Sequence, residues 1–286
     1  MSILIDTATL AAWLGESGLC LFDLRYSLQD AGQGRELYDN SHISGARYVD
    51  LCDDLSGSIV GGITGRHPLP DVDTFVATLQ RLGVSNDGKS RVVLYDDGSH
   101  FFVPRMWWML SVWLGYRNVH ILHGGFRSWQ EQGLPVTTAV PDSCAMGDFE
   151  PLLDLQHSKA VISAEQIPDF ATAGGLLLDA RSGERFRGDV EPIDGRAGHI
   201  PGAQSLPCAL TTGEQGFFLE SATLRALFAA TEQQDTVFYC GSGISACQSI
   251  LAMVLAGLEP ARLYPGSWSE WITDPQRPVA IGREIS

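Results

Sequence analysis

Residues 236–255 read TVFYCGSGISACQSILAMVL, and this stretch decides the fold of the second half of the chain. Val237, Phe238 and Tyr239 form a continuous apolar run, which is typical of a strand that is buried on both faces of a sheet. A short loop with two glycines follows, and the apolar run that ends at Leu255 predicts a helix. A strand, a tight loop and a helix in this order indicate an α/β fold with a parallel sheet, whose functional site lies beyond the carboxyl ends of the strands.

A similar arrangement occurs earlier in the chain, because four segments recur in the same order. The pairs are CLFDLR (20–25) and LLLDAR (176–181), HISGA (42–46) and HIPGA (199–203), RVVLYDDGS (91–99) and TVFYCGSGIS (236–245), and GGFRSW (124–129) and GSWSEW (266–271). We therefore predict a duplication with two homologous domains, 1–138 and 157–286, joined by a linker at 139–156. Each domain is expected to be a mainly parallel sheet flanked by helices, and helical patterns at 71–82 and 219–230 support this expectation.

The composition limits the classes of function. The chain has 286 residues, of which 44% are hydrophobic and 19% are charged, as expected for a folded globular protein. With 34 acidic and 19 basic residues its net charge is −15, which disfavours nucleic acid and anionic membranes as partners. The sequence contains no run of 18 apolar residues, and its N-terminal stretch lacks the basic region of a signal peptide. We therefore predict a cytoplasmic protein.

The six cysteines are predicted to be reduced thiols, since a cytoplasmic protein rarely forms disulfides. None of them belongs to a C-x-x-C pair, which disfavours a zinc site or a thioredoxin-type couple. A buried, unreactive thiol is the preferred interpretation of five of them, namely Cys20, Cys52, Cys144, Cys208 and Cys247. A second interpretation of Cys247 is that it resolves an oxidised Cys240, which lies seven residues before it.

Cys240 differs from the others because it stands between the predicted strand and the predicted helix. Gly241 and Gly243 allow the backbone to curl, so that successive N–H groups, including those of Ile244 and Ser245, converge on one point. These amides and the positive end of the helix favour an anion at that point, and a thiol there is expected to have a depressed pKa. The same amides can hold the charge of a second sulfur attached to the first. The loop therefore predicts a cysteine that carries a transferable group.

The recurring segments and the cysteine loop resemble the tandem-domain rhodanese sulfurtransferases, and the resemblance covers nearly the whole chain. It implies a catalytic C-terminal domain and an N-terminal domain without the nucleophile, because Asp96 occupies the position that corresponds to Cys240. The first domain is then expected to form one wall of the substrate cleft. The loop CGSGIS is similar to the CGSGVT form of the members that use 3-mercaptopyruvate, with Ile244 and Ser245 in place of Val and Thr.

The resemblance also implies roles for residues outside the loop. Arg185 matches the family's substrate-binding arginine, which suits a carboxylate because guanidinium can bind it through two parallel hydrogen bonds. Ile193 stands where a second family arginine would align, and Arg196, three residues later, is a hypothetical substitute. A surface ion pair with Glu184 or Asp189 is the alternative interpretation of these arginines.

In mercaptopyruvate-type members a serine, a histidine and an acid resemble a serine-protease triad. By this resemblance Ser242 is the serine and His67, in the segment RHPLP, is the histidine. Cys52 occupies the usual place of the acid, with Asp50, Asp53 and Asp54 around it. An alternative interpretation of His67 is a loop histidine that packs against prolines.

These observations predict an enzyme that moves a sulfane sulfur from 3-mercaptopyruvate, through a Cys240 persulfide, to cyanide, a small thiol or reduced thioredoxin, with no metal or organic cofactor. Thiosulfate is the alternative donor. A cysteine phosphatase is disfavoured because its loop usually ends in an arginine, and no arginine occurs from Gly241 to Ala261. A sulfur carrier or regulatory module without turnover is a more remote alternative. The sequence leaves the oligomeric state open.

Overall fold

The structure is a computed structural model that describes residues 2–86, 88, 90–142, 145–153 and 159–283. Strands and helices mostly alternate along the described residues, and the strands His42–Ile43 and Arg47–Tyr48 are the exception, since they follow each other directly. The strands are β1 (Leu4–Ile5), β2 (Leu19–Asp23), β3 (His42–Ile43), β4 (Arg47–Tyr48), β5 (Arg91–Tyr95), β6 (Val119–Leu122), β7 (Val136–Thr137), β8 (Leu176–Asp179), β9 (Gln204–Ser205), β10 (Thr236–Tyr239) and β11 (Arg262–Leu263).

The helices are short, as expected for an α/β fold with closely spaced strands. They are α1 (Thr7–Trp13), α2 (Gln33–Asn40), α3 (Val72–Arg81), α4 (Val103–Trp108), α5 (Gly125–Glu131), α6 (Ile167–Thr172), α7 (Gly183–Arg187), α8 (Ser221–Leu227), α9 (Ser245–Leu255) and α10 (Ser267–Trp271). A π-helix (Met109–Trp113) continues α4, and 3-10 turns occupy Ala164–Gln166, Cys208–Thr211 and Ala229–Thr231. Among the described residues, no helix combines the length and apolar character that crossing a membrane requires.

The chain forms two compact units. The first comprises residues 1–56, 70–156 and 215–217, and the second comprises residues 57–69, 157–214 and 218–286. The segment Gly57–Leu69 therefore belongs to the second unit, although it precedes most of the first in sequence. The predicted domain limits stay a prediction, and the limit at residues 156 and 157, like Cys144, lies outside the described residues.

Each unit contains a parallel sheet. The strand order of the first sheet is β1-β6-β5-β2-β4, and that of the second is β11-β10-β8-β9. The order β6-β5-β2-β4 corresponds strand for strand to the second sheet, which confirms the fold class that the repeats predicted. The central strands β5 and β10 have every apolar side chain buried, as their continuous apolar runs indicated.

The repeated Asp-x-Arg segments make the same ion pair in both units. Arg25 binds the Asp23 carboxylate at 2.6 Å, and Arg181 binds the Asp179 carboxylate at the same distance. In both cases the guanidinium also donates to a backbone carbonyl, that of Ser41 or Gly198. All four charged side chains are buried, so each charge needs its partner. The ion pairs hold the carboxyl ends of β2 and β8, the strands next to the central strands β5 and β10.

One of the two predicted helices is shorter than its pattern. The pattern at 71–82 corresponds to α3, which begins after Asp71 and ends at Arg81. The prediction of one helix over 219–230 was wrong, because α8 covers only Ser221–Leu227 and a separate 3-10 turn follows. The Leu219 N–H donates to the Thr211 carbonyl, which holds the start of the predicted segment outside the helix.

Asp96 occupies in the first unit the position that Cys240 has in the second, directly after the central strand. Its carboxylate accepts N–H groups from Gly98 at 2.8 Å, His100 at 3.3 Å and Phe101 at 3.0 Å. Burial raises the pKa of Asp96, but the His100 side chain and these amides outweigh burial, so the pKa lies below its usual value. The loop amides of the first unit are thus satisfied by a carboxylate from their own loop.

We expect Asp96→Asn to lower the free energy of unfolding by about 1–3 kcal/mol, because an amide nitrogen would face a backbone donor. A carboxylate with a lowered pKa stabilises the fold above the unfolded pKa and loses this effect as the pH falls. Urea unfolding at pH 7 should therefore separate the variant from the parent, and the difference should shrink below about pH 4. Asp97→Asn, at the exposed neighbour, is the matched control. An equal effect of both substitutions would contradict this account of Asp96.

Candidate active site

The second unit presents Cys240 at the carboxyl end of β10, immediately before the loop that leads into α9. The side chain is buried, and the Gly243 N–H donates to Cys240 Sγ over 3.2 Å. Gly243 has a φ of +76°, a left-handed conformation that favours glycine and turns its amide toward the sulfur. The curled loop that the sequence predicted around Cys240 is present.

The surroundings of Cys240 favour its charged form. Burial raises the pKa of the thiol, but hydrogen bonds from the Ser245 hydroxyl and from the Ala246 and Ser242 amides outweigh burial. The pKa of Cys240 therefore lies below the ordinary thiol value, as the loop predicted. Ser245 acts through its side chain as well as its place in the loop, while Ile244 is buried at the N-cap of α9.

The repeated segment at 266–271 holds the cysteine loop in place. The Cys240 N–H donates to Ser267 Oγ at 3.0 Å, and the Cys240 and Gly241 carbonyls accept the N–H groups of Trp268 and Ser269, each at 2.9 Å. Ser267 has a φ of +56°, a conformation that is uncommon for residues with a side chain. The backbone of Cys240 and Gly241 is therefore held in place by hydrogen bonds to the 266–271 segment.

Ser242 and His67 lie next to each other in the second unit, although the predicted domain limits placed His67 in the first domain. His67 Nδ1 lies 2.9 Å from Ser242 Oγ, and both side chains are buried. His67 belongs to the segment Gly57–Leu69, which approaches the 266–271 segment so closely that a Cβ atom on Gly65 would lie 2.6 Å from the Gly266 carbonyl oxygen. The segment brings a histidine from the first half of the chain to the loop of the second half.

The residues that surround the expected acid position form hydrogen bonds among themselves. The Asp50 carboxylate accepts the N–H groups of Cys52 at 2.7 Å and Asp53 at 3.0 Å, while Asp54 accepts the Asp50 N–H at 2.9 Å. Cys52 is exposed, and its sulfur lies 3.1 Å from the Tyr26 hydroxyl. A buried thiol was therefore the wrong interpretation of Cys52.

Arg185 lies next to the cysteine loop. Its Nη2 donates to Glu191 at 2.7 Å and to Asp194 at 3.0 Å, and its Nε donates to Glu191 at 3.1 Å. A Cβ atom on Gly241 would lie 3.6 Å from Arg185 Nη1. The partners of Arg185 are therefore buried carboxylates of the following loop, whereas the alternative of a surface ion pair with Asp189 applies to Arg187.

Arg66 is the residue of this site that the sequence analysis missed. Its Nη1 pairs with Asp194, and its Nη2 would lie 2.8 Å from a Cβ atom on Gly241. Burial and the charge of Arg185 lower the pKa of Arg66, while the charge of Cys240 raises it. The position of Arg66 directly before His67 was the available signal, since a segment that delivers one side chain to the site also delivers its neighbours.

The charged residues of this site form one alternating chain of carboxylates and guanidinium groups. Its consecutive members are Asp179, Arg181, Glu191, Arg185, Asp194 and Arg66. The three carboxylates are 4% exposed or less, whereas Arg185 and Arg66 are 15% and 32% exposed. This series of ion pairs therefore begins at the buried end of β8 and ends at two arginines whose side chains are partly exposed to solvent.

The sequence position of Arg196 is close to this cluster, but its side chain contacts a different part of the second unit. Its side chain is exposed, and its Nη1 donates to the Arg277 carbonyl at 3.4 Å. Ile193, at the position of the second family arginine, is 51% exposed and brings no charge. The arginines that lie beside Gly241 are Arg66 and Arg185.

Two further thiols lie near the cysteine loop. Cys247 is fully buried, and its Sγ donates to the Gly243 carbonyl at 3.2 Å. Burial and the charge of Cys240 raise the pKa of Cys208 to about 12. Of Cys208 and Cys240, only Cys240 therefore has a lowered pKa.

Comparison with known proteins identifies the class. The family model "Rhodanese-like domain" matches residues 6–132 and 163–274. The chain therefore belongs to the rhodanese-like family and carries two such domains, as its resemblance in sequence indicated.

Two sulfurtransferases are similar to this chain over nearly their whole length. The chain is 45% identical to the "Probable 3-mercaptopyruvate sulfurtransferase" of Pseudomonas aeruginosa, with 98% of both chains covered. It is 32% identical to the thiosulfate sulfurtransferase of Cricetulus griseus, over 95% of this chain and 94% of the relative. The crystal structure of SseA from Escherichia coli, a 3-mercaptopyruvate sulfotransferase, matches with a TM-score of 0.78 at 28% identity, over 94% of this chain and 100% of the other. The chain is thus an enzyme of the sulfurtransferase kind.

We expect Ser245→Ala to raise the pKa of Cys240, because the thiolate would lose its hydroxyl donor while its burial persists. A group with a lowered pKa is charged at lower pH, so the midpoint of the pH–rate profile should move upward by about one unit. The measurement is the rate of Cys240 alkylation by iodoacetamide, followed by peptide mass spectrometry. Ser249→Ala, one turn further along α9, is the matched control and should leave the midpoint unchanged. An unshifted midpoint in Ser245→Ala would contradict this role of the hydroxyl.

Proposed function

We propose that the chain is a 3-mercaptopyruvate sulfurtransferase in which Cys240 carries the sulfur as a persulfide. The observation that carries the proposal is the 2.9 Å contact between Ser242 and His67 beside a thiol whose pKa is lowered. Sulfur transfer from mercaptopyruvate needs both a thiolate and a proton source, and these residues provide them together. The charge-neutral pair Gly241-Ser242 after the cysteine suits this donor better than the thiosulfate dianion.

In the first step the Cys240 thiolate attacks the sulfur of the donor. An S–S bond forms, the C–S bond breaks, and its electron pair moves to the carbon to give the enolate of pyruvate. The enolate carbon takes a proton from Ser242 Oγ, and His67 Nδ1 returns a proton to that oxygen. His67 in turn receives the proton that the donor's thiol loses when its sulfur becomes the outer sulfur of the persulfide. The two sulfurs remain as a persulfide on Cys240, whose charge the loop amides and Ser245 stabilise.

In the second step an acceptor removes the outer sulfur. A cyanide ion or a thiolate attacks that sulfur, the S–S bond breaks, and the Cys240 thiolate is restored. The outer sulfur leaves with the acceptor, as thiocyanate or as a new persulfide, so no external oxidant or reductant is consumed. Reduced thioredoxin is a larger acceptor of the same chemical class. The predicted cytoplasmic location agrees with this need for reduced thiols and stays a prediction.

The two alternative functions make different demands on the site. Thiosulfate releases sulfite, a stable anion that needs no proton at the breaking bond, so a buried Ser–His pair would have no purpose in the first step. A sulfur carrier without turnover would need the persulfide but not the proton source. The Ser242–His67 contact therefore favours the mercaptopyruvate reaction over both.

We expect Cys240→Ser to lower turnover at least ~10³-fold, because a hydroxyl is a far weaker nucleophile toward sulfur than a thiolate. Intact-mass and peptide analysis after exposure to 3-mercaptopyruvate should show one added sulfur on Cys240 in the parent protein and none in the variant. Cys52→Ser, at an exposed thiol, is the matched control and should keep full activity. Turnover that survives in Cys240→Ser would refute the nucleophile.

The donor is tested by comparing kcat/KM for 3-mercaptopyruvate and thiosulfate with cyanide as the common acceptor. We expect a preference for 3-mercaptopyruvate in the parent protein. Ser242→Ala and His67→Gln should each lower kcat/KM for 3-mercaptopyruvate by about 10²–10⁴-fold, the usual contribution of acid–base catalysis, and change the thiosulfate value much less. A preference for thiosulfate, or an equal loss with both donors, would overturn the assignment.

A further inference from the structure

Three aliphatic side chains are exposed on the segment that delivers His67 to the cysteine loop. Ile59 is 67% exposed, Val60 47% and Ile63 66%. No charged residue occurs from 55 to 65, although 19% of the whole chain is charged. Single exposed aliphatic residues are normal on a protein surface, but a group of them in one short uncharged segment forms an apolar patch, and such patches mark sites of interaction.

The backbone of this segment is held by hydrogen bonds, so the patch has a defined shape. The Gly57 N–H donates to the Pro68 carbonyl at 2.9 Å, which closes the segment into a loop with adjacent ends. At the tip of the loop the N–H groups of Ile63 and Thr64 both donate to the Val60 carbonyl at 3.0 Å, and the Val60 N–H donates to Thr64 Oγ1 at 2.9 Å. An ordered turn therefore presents the aliphatic side chains to solvent.

The base of the loop lies against the residues that hold the nucleophile. The Arg66 N–H donates to Ser269 Oγ at 3.1 Å, and Arg66 Nη2 would lie 2.8 Å from a Cβ atom on Gly241. Ile63 is three residues before Arg66, and each residue of an extended chain spans at most about 3.6 Å. The backbone of Ile63 is therefore within about 11 Å of the backbone of Arg66, close to the cysteine loop.

A second segment of the same unit adds another exposed aliphatic side chain. Ile193 is 51% exposed and directly precedes Asp194, whose carboxylate pairs with Arg66. Two separate segments of the second unit thus bring exposed isoleucines close to one arginine of the site. The aliphatic surface is defined by these side chains, which are Ile59, Val60, Ile63 and Ile193.

We propose that the aliphatic surface is the docking site for a protein acceptor, namely a small protein whose reactive thiol lies among apolar side chains. The inference rests on the proposed function, which supplies the sulfur that is handed over. The acceptor thiolate attacks the outer sulfur of the Cys240 persulfide, the S–S bond breaks, and the acceptor leaves as a persulfide. The electron pair of the broken bond returns to Cys240, so the step consumes no other reagent.

The second step of the reaction determines what covers this surface. It requires that an acceptor from solution approaches Cys240, whose exposed fraction is only 2%. A cyanide ion is small enough to enter such a site without touching the aliphatic surface. A thiol on a protein reaches the site only when the surface around that thiol rests against the residues beside the site. Such contacts are transient and bury little area, which suits a surface of a few aliphatic side chains.

The net charge of the chain favours an uncharged docking surface. At a net charge of −15 the protein repels acidic partners at long range. The burial of aliphatic side chains needs no opposite charge on the partner, and salt does not screen it. Docking on the aliphatic surface should therefore not weaken when the salt concentration is raised, whereas docking on the arginines of the site would weaken.

The test measures the second step alone. Cys240 is loaded from 3-mercaptopyruvate or, if that fails, from thiosulfate, and the excess donor is removed. The rate at which reduced thioredoxin discharges the persulfide is then compared with the rate for dithiothreitol. We expect Ile59→Ser combined with Ile63→Ser to lower the second-order rate with thioredoxin about tenfold or more, because two aliphatic contacts are lost, and to leave the dithiothreitol rate unchanged.

Three further variants define what the loss means. Ile59→Val combined with Ile63→Val keeps the apolar character and should retain most of the thioredoxin rate, while Ile193→Ser should lower it. Val140→Ser combined with Met146→Ser is the matched control, because these side chains are 60% and 73% exposed in the first unit. Equal losses in both serine pairs, or an equal loss with dithiothreitol, would overturn the inference. A parent protein that thioredoxin discharges no faster than dithiothreitol does would overturn it as well.

Binding without sulfur transfer separates the docking site from the proposed function. Reduced ¹⁵N-labelled thioredoxin is titrated with Cys240→Ser, and the serine pair at 59 and 63 should raise the Kd about tenfold. If the Kd responds but Cys240 takes up no sulfur, the proposed function fails while the docking site stands. If sulfur is taken up and discharged but neither rate nor Kd responds, the docking site fails alone. A dimer in sedimentation that the serine pair abolishes would assign the surface to a second copy of the chain and overturn the inference.

Discussion

A buried negative charge at the carboxyl end of the central strand is the constraint on which each unit is built. Such a charge is stable only where N–H and O–H donors replace the water that it loses. In the second unit the group at this position is the Cys240 thiol, and the loop amides and the Ser245 hydroxyl favour its charged form, so its pKa is lowered. In the first unit the Asp96 carboxylate takes the same position and draws on the amides of its own loop. The backbone around both is fixed before any ligand arrives.

The two units therefore share the backbone arrangement of the loop after the central strand and differ in the chemistry of the side chain at its start. The Phe126 N–H donates to the Asp96 carbonyl at 2.8 Å, as the Trp268 N–H does to the Cys240 carbonyl at 2.9 Å. A carboxylate in this position satisfies the amides permanently and cannot accept a sulfur atom. A thiolate would be satisfied in the same way, and in the proposed function it is the nucleophile from which a second sulfur extends. The exchange of one side chain thus separates a structural loop from a reactive one.

The sequence predicted the framework well because the framework depends on local patterns. The apolar runs, the glycines after Tyr239 and the repeated Asp-x-Arg segments are all encoded within a few neighbouring residues, and the fold class and the anionic Cys240 follow from them. The helix at 219–230 was predicted too long, because a backbone bond between Leu219 and Thr211 overrides its apolar pattern. Arg66 was missed for a related reason. Its carboxylate partner is far away in sequence, and no local pattern indicates which acid a given arginine will meet.

The alternating series of ion pairs shows how a protein of net charge −15 can gather three guanidinium groups at one place. Long-range repulsion is screened within about 10 Å at moderate salt, whereas buried partners in contact are screened much less, so the contacts within the cluster outweigh the net charge of the protein. Each buried carboxylate of the series stands between two guanidinium groups, and removing any one partner would leave an uncompensated charge. The same pairing that makes burial tolerable also fixes the direction of the remaining nitrogens. Charge compensation and the orientation of the guanidinium groups are therefore one property of this cluster, and neither can be changed without changing the other.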